Sequence, residues 1–247
     1  MACTIAALEV PHRHGQVQGQ LAWIDAQLAL MHKLAPAPID LVVLPELSLT
    51  GYVSARGDFE LRAYAEPLEG PTLTALKALA RKHGHAIAGP LVEKRAAQLA
   101  HNACVVVDRE GRLVAHYRKR HPWFPERWAT PGLDLPPVFT LGEVTLTLAI
   151  CFDVNFLEQD AREQLEAAEV LLFPSAWCEV DEDQRDVLLP ALAHEHELTV
   201  VNANWGEGTP QVPGQGASRI VGPDGHELAR VHPDEPAWIT CVVEASR

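Results

Sequence analysis

Short apolar runs that read as strands alternate along this chain with amphipathic stretches that read as helices. That alternation limits its fold more than any other feature. Residues 4–8, 41–44, 86–89, 144–150, 170–173, 199–203 and 238–243 are apolar and short, as buried strands are. Residues 18–34 instead repeat at helical spacing and place Leu21, Ile24, Leu28 and Met31 on one face. Residues 72–83 do the same with Leu73, Leu76, Leu79 and Ala80, and Gly84 follows as a C-terminal cap. Further helices are expected at 160–168 and 187–198. Residues 100–107 and 113–117 read as a hairpin around Asp108-Arg109-Glu110-Gly111, and 220–221 and 227–231 flank the turn Gly222-Pro223-Asp224-Gly225. The pattern predicts a mixed α/β domain with helices on both sheet faces. A length of 247 residues fits one such domain, expected to span 1–247.

Charge and cysteine usage narrow the function classes. The formal net charge is −13, which argues against nucleic acid or an anionic membrane as partner. The five cysteines are an odd count without tight spacing, so no disulfide framework is expected. Buried thiols point to a reducing compartment. The first residues lack the positive segment and long apolar core of a secretion signal. No run approaches the ~18 apolar residues of a membrane span. Cytoplasmic localisation is the expectation.

Three strand ends carry complementary chemistry. Cys151 closes the run Leu146-Thr147-Leu148-Ala149-Ile150, Glu46 follows Leu41-Val42-Val43-Leu44-Pro45, and Lys119 ends Leu113-Val114-Ala115-His116-Tyr117-Arg118. Each has a bland reading taken alone: a core thiol, a loop carboxylate, a solvated lysine like its neighbours Arg118 and Arg120. Together they are a nucleophile, a proton acceptor and an oxyanion-stabilising cation.

At these residues the chain resembles the nitrilase or carbon-nitrogen hydrolase superfamily. The matching motifs are Leu44-Pro45-Glu46, Tyr117-Arg118-Lys119 and Ile150-Cys151-Phe152-Asp153, in that order. Asn102-Ala103, Phe173-Pro174-Ser175-Ala176-Trp177 and Gly216-Ala217-Ser218 agree. The resemblance covers nearly the whole chain. It implies a four-layer α-β-β-α sandwich and a cofactor-independent Glu46-Lys119-Cys151 triad. It also implies a second glutamate beside the lysine, best matched by Glu126, and an oxyanion donor at the Phe152 N–H. Tyr52, Trp123, Phe152, Asn155 and Trp177 fall in segments expected to bind substrate.

Other motifs carry less. His194-Glu195-His196-Glu197 lacks the spacing that puts two imidazoles on one helical face, so no metal is expected. Gly206-Glu207-Gly208 lacks the context of a dinucleotide loop. Asn155 stands where carboxylate-binding relatives carry arginine, and the run from Tyr117 to Glu126 resembles the aliphatic amidase branch. The reading is a hydrolase of a small linear amide that passes through a thioester and releases ammonia. Its alternatives are a nitrilase, an N-carbamoyl hydrolase, an acyltransferase and an idle binding member of the fold. The resemblance also implies a homo-oligomer, a dimer or higher.

Overall fold

The computed structural model describes residues 2–96, 99–178 and 183–245. In chain order the strands are β1 (Ala2–Leu8), β2 (Val10–Arg13), β3 (Leu41–Val43), β4 (Ala86–Ala96), β5 (Leu99–Val107), β6 (Leu113–Arg118), β7 (Phe139–Leu141), β8 (Val144–Leu148), β9 (Val170–Ser175), β10 (Thr199–Thr209), β11 (Arg219–Val221), β12 (Glu227–Arg230) and β13 (Trp238–Glu244). The helices are α1 (Val17–Leu34), α2 (Pro71–His83), α3 (Leu157–Asp160), α4 (Arg162–Glu166) and α5 (Arg185–Glu195).

The strands form two sheets. One runs β13-β1-β3-β4-β5-β6, with β1, β3 and β4 parallel. The other runs β12-β11-β10-β9-β8-β7, with β8, β9 and β10 parallel, and β2 pairs with β10. Alternation along the first sheet sorts its two faces. Ile5, Ala7, Leu41, Val43, Ala88 and Val106 join a core that also holds Leu146, Leu148 and Phe173 of the second sheet. Their neighbours Ala6, Leu8, Val42, Ile87 and Val105 pack on Ile24, Leu28 and Met31 of α1 and Leu73 and Leu76 of α2. Leu165, Leu189 and Leu192 bring α4 and α5 onto the second sheet's cluster. This is the expected α-β-β-α layering.

Local chemistry sets the boundaries. α2 opens on Pro71, whose missing N–H costs nothing in a first turn, and closes on Gly84 at φ +73°. The expected helix at 160–168 breaks at Ala161, which leaves the helical region at φ −141°, ψ 29°. The strands expected at 86–89 and 199–203 extend to residues 96 and 209. The second extension depends on Gly208, where a Cβ would stand 2.0 Å from the His12 carbonyl oxygen of β2. β2 itself was hidden by Pro11, and β7 by its shortness.

Two basic residues depart from expectation. Arg118 is not solvated: it grips the buried Glu93 with Nε at 2.8 Å and Nη2 at 2.5 Å. Arg120 reaches Asp160 at 3.3 Å and the Leu133 carbonyl at 2.9 Å. Lys119 between them points the other way, into the protein.

Candidate active site

Glu46, Lys119 and Cys151 each lie just past the end of a strand, whereas Glu126 sits in the loop between β6 and β7. Pro45 has no N–H for further pairing, so the chain turns directly after β3. The Ser48 N–H bonds the Pro45 carbonyl at 3.3 Å across Glu46, Leu47 takes φ +50°, and Gly51 donates back to the Leu47 carbonyl at 2.9 Å, which closes the turn that follows. Lys119 follows β6, and the loop after it folds back until the Gly132 N–H bonds the Lys119 carbonyl at 2.8 Å. A Cβ at Gly132 would lie 2.1 Å from the Arg118 carbonyl oxygen, so only glycine allows that approach. Cys151 begins a 3-10 turn, Cys151–Phe156, at φ +45°. A non-glycine residue there is held by its surroundings.

The turns bring Glu46, Lys119 and Glu126 into contact, all with fully buried side chains. The Lys119 ammonium donates to Glu46 Oε1 at 2.6 Å and to Glu126 Oε1 at 2.8 Å. Asn102 Nδ2 donates to Glu46 Oε1 at 2.7 Å and reaches Glu126 Oε2 at 3.4 Å. The Tyr52 hydroxyl donates to Glu126 Oε1 at 2.6 Å. From the other sheet, the Ala176 N–H donates to Glu46 Oε2 at 2.9 Å. That same N–H also acts on the Cys151 thiol, whose pKa it lowers. Glu46 and Cys151, one from each sheet, are thus both neighbours of Ala176, whose N–H bonds the carboxylate and which lines the same cavity as the thiol.

Electrostatics follow from the burial. Burial alone would lower the Lys119 pKa, but Glu126 and Glu46 more than offset it and hold the ammonium charged. Burial raises the Glu126 pKa against the pull of Lys119. Burial also pushes the Cys151 thiol well above its ordinary range; Glu46 adds to the shift, and Lys119 and the Ala176 N–H oppose it. The resting sulfur is therefore a thiol.

Cys151 lines a cavity of about 220 Å³ together with Tyr52, Trp123, Phe152, Asn155, Ala176, Trp177, Cys178 and Gln184. An apolar cavity of roughly 150 Å³ can hold benzene, so this one suits a small molecule. All five expected substrate-binding residues are in the wall. Tyr52 has a second attachment through its hydroxyl to Glu126. Its backbone N–H donates to His12 Nε2 at 3.2 Å. Asn155 is exposed and turns its amide to the Phe152 carbonyl at 3.1 Å.

Several contributors escaped the sequence reading. Asn102 was visible only as part of a motif, although a polar residue inside the apolar run of β5 signals a buried partner. Ala176, Cys178 and Gln184 gave no signal of lining a cavity. Elsewhere, Glu158, Glu195 and His196 bring ligating atoms within 4.8 Å of one another. None of them lines the cavity, and Arg162 pairs with both carboxylates at 3.4 and 3.6 Å. Among the described residues no helix is long and apolar enough to cross a membrane.

The sequence profile of the carbon-nitrogen hydrolase family matches residues 4–245. This chain belongs to that family. Among similar proteins, the 2-oxoglutaramate amidase of Bacillus subtilis is 31% identical over 77% of this hydrolase and 73% of its own length. The (R)-stereoselective amidase of a Pseudomonas species is 31% identical over 79% and 70%. A cysteine-to-alanine mutant of the nitrilase-superfamily amidase from Nesterenkonia sp. AN1 superposes with a TM-score of 0.84 at 28% identity, covering 98% of this chain and 90% of that one. Other structures of the Nesterenkonia amidase hold butyramide, or the acetamide moiety of fluoroacetamide added covalently at its active site cysteine. The protein is accordingly a hydrolase of carbon-nitrogen bonds.

Proposed function

We propose that this hydrolase cleaves small, linear, uncharged amides to a carboxylic acid and ammonia through a thioester on Cys151. The observation that carries the reading is the buried Glu46 bonded at once by Lys119 and by the Ala176 N–H, with Ala176 and the Cys151 thiol together on the wall of a small cavity. The Nesterenkonia amidase supports the substrate class, since its structures hold butyramide and an adduct at a cysteine.

The steps assign one task to each group. Because the resting sulfur is protonated, Glu46 accepts the thiol proton as Sγ attacks the amide carbon. Oε2 suits this role: it receives one donor, Ala176, while Oε1 receives two. Glu126 suits it poorly, because Lys119, Tyr52 and Asn102 already occupy its oxygens. An ammonium has three donors. Two of those on Lys119 go to carboxylates, and the third is assigned to the oxyanion alongside the Phe152 N–H. Collapse of the tetrahedral intermediate breaks the C–N bond, and Glu46 returns the proton to the departing nitrogen. Water then attacks the thioester, with Glu46 again taking the proton, and the acid leaves with the thiol restored. One water is consumed for each ammonia released.

Charge selects the substrate. Among the described residues that line the cavity, none is ionised at neutral pH. Two arginines could have served a substrate carboxylate. Arg127 is exposed. Arg185 is spent on Asp183 at 2.8 and 2.7 Å, its guanidinium 5.8 Å from the centre of the Trp177 ring. Desolvating an unpaired carboxylate costs several kcal/mol, on the order of a 10²-fold or greater penalty. Butyramide should therefore exceed an ω-amide of a dicarboxylic acid of matched length in kcat/KM by that order, measured as ammonia release. N-carbamoyl amino acids should be poor substrates as well. A preference for the carboxylate-bearing amide would overturn the substrate assignment. Release of ammonia from nitriles alone would overturn the amidase reading.

The same reading treats the enzyme as a cytoplasmic homo-oligomer; sedimentation of the purified protein tests its assembly.

A further inference from the structure

We infer that Asp153 is a positioning residue that sets the distance between the Lys119 ammonium and the Cys151 thiol. The inference rests on the roles proposed above for those two groups. Asp153 lines no part of the cavity and is 1% exposed, so it acts through other residues and not on substrate. Its carboxylate receives three donors. The Tyr117 hydroxyl bonds Oδ2 at 3.0 Å, the His121 N–H bonds Oδ1 at 2.9 Å, and the Ile150 N–H bonds Oδ2 at 3.2 Å.

The position of those donors in the chain gives the carboxylate its meaning. Tyr117 and His121 stand two residues before and two residues after Lys119. Ile150 stands immediately before Cys151, and Asp153 two residues after it. The strands that deliver these segments, β6 and β8, belong to different sheets and share no backbone ladder. Asp153 is thus a clamp across the sandwich, with one jaw on each side of the lysine and its root in the turn that carries the thiol. It also holds that turn closed, because the Asp153 N–H donates to the Ile150 carbonyl at 3.1 Å while its side chain accepts from the Ile150 N–H. Cys151, enclosed between the two, sits at φ +45°, a conformation that persists only when its surroundings over-determine it.

An amide cannot replace this carboxylate. Asparagine has one acceptor oxygen, whereas Asp153 uses both. With the oxygen toward Tyr117 and Ile150, the new NH2 faces the His121 N–H. Turned round, it faces the Ile150 N–H. The first orientation opens the His121 jaw, and the second loosens the root at Ile150.

The test is Asp153→Asn, assayed with butyramide as probe beside Cys151→Ala. A misplacement of about 1 Å can cost roughly 10²-fold in rate. The expected result is a kcat lower by about that factor, with KM changed by less than about threefold because uniform binding is retained. A merely structural role would lower the melting temperature and leave kcat of the folded enzyme at the wild-type value, and that result would overturn the inference. So would a loss carried entirely by KM. Tyr117→Phe removes a single hydroxyl contact and decides the matter if Asp153→Asn does not fold. It should lower kcat in the same direction by a smaller factor, and an unchanged kcat in it would count against the clamp. The two levels separate cleanly. An active Cys151→Ala would remove the proposed mechanism itself, whereas an inactive Cys151→Ala beside a fully active Asp153→Asn would remove only the clamp.

Discussion

Replacing Cys151 by alanine should abolish amide turnover, with kcat falling by about six orders of magnitude, the loss typical of deleting a nucleophile. The fold should survive, because the change removes one sulfur atom at the edge of a cavity and leaves the Asp153 bonds that shape the turn. The control is Cys178→Ser. Cys178 lines the same cavity, and burial raises its pKa to about 12. Its Sγ, however, bonds only the Ala176 carbonyl, at 3.6 Å, and no hydrogen bond joins it to either buried carboxylate among the described residues. Cys178→Ser should therefore keep turnover of the wild-type order. The measurements are ammonia release from butyramide and mass spectrometry of the trapped acyl-enzyme. Full activity in Cys151→Ala, or an acyl group carried on Cys178, would end the proposed mechanism.

The second large effect is expected at Glu46. Glu46→Gln removes the proposed proton acceptor from both halves of the reaction, and loss of a general base typically costs about 10²–10⁴ in rate. Geometry adds to the loss. Glutamine must turn its NH2 either to the donors at Oε1, Lys119 and Asn102, or to the Ala176 N–H at Oε2. The expected signature is a fall in kcat of about 10³ with thioester formation and hydrolysis both slowed, read by single-turnover kinetics. Near-normal rates would shift the base to another carboxylate. Lys119→Ala is expected to be harsher on the fold. Breaking a buried ion pair by removing one partner costs about 3–5 kcal/mol. Here Glu46 and Glu126 would be left facing each other, and one of them would have to bind a proton. Thermal unfolding and kcat should both suffer in this variant, whereas Glu46→Gln should lose mainly kcat.

The layers of the fold were legible because burial leaves its mark on sequence spacing. The apolar runs at 41–44 and 170–173 are buried strands, and the face of α1 carries Ile24, Leu28 and Met31 as its spacing required. Features that depend on contact between distant segments were not legible. β2 is a strand only because β10 passes beside it, and its four residues include a proline. The break at Ala161 has no glycine or proline to announce it. At the site, Glu46, Lys119 and Cys151 were marked by the strand ends that carry them. Asn102 was not: its partner Glu46 lies 56 residues away in the chain. Arg118 looked like its neighbours because nothing local marks the carboxylate of Glu93, on β4, as buried. Pocket walls such as Ala176 and Gln184 are defined by the space between segments, which no single segment records.

The protonated state of Cys151 has a consequence for how this protein meets reactive chemicals. Peroxides and general alkylating agents consume thiolate, and a sulfur kept as thiol by its surroundings offers them little. In the proposed mechanism, only a molecule that enters the cavity and develops negative charge beside Lys119 draws the proton toward Glu46 and creates the nucleophile at the moment it is needed. The enzyme should thus ignore oxidants that disable low-pKa cysteine enzymes, yet be inactivated at one equivalent by a haloacetamide shaped like its substrate. Its sensitivity is to the form of the attacking molecule more than to that molecule's reactivity.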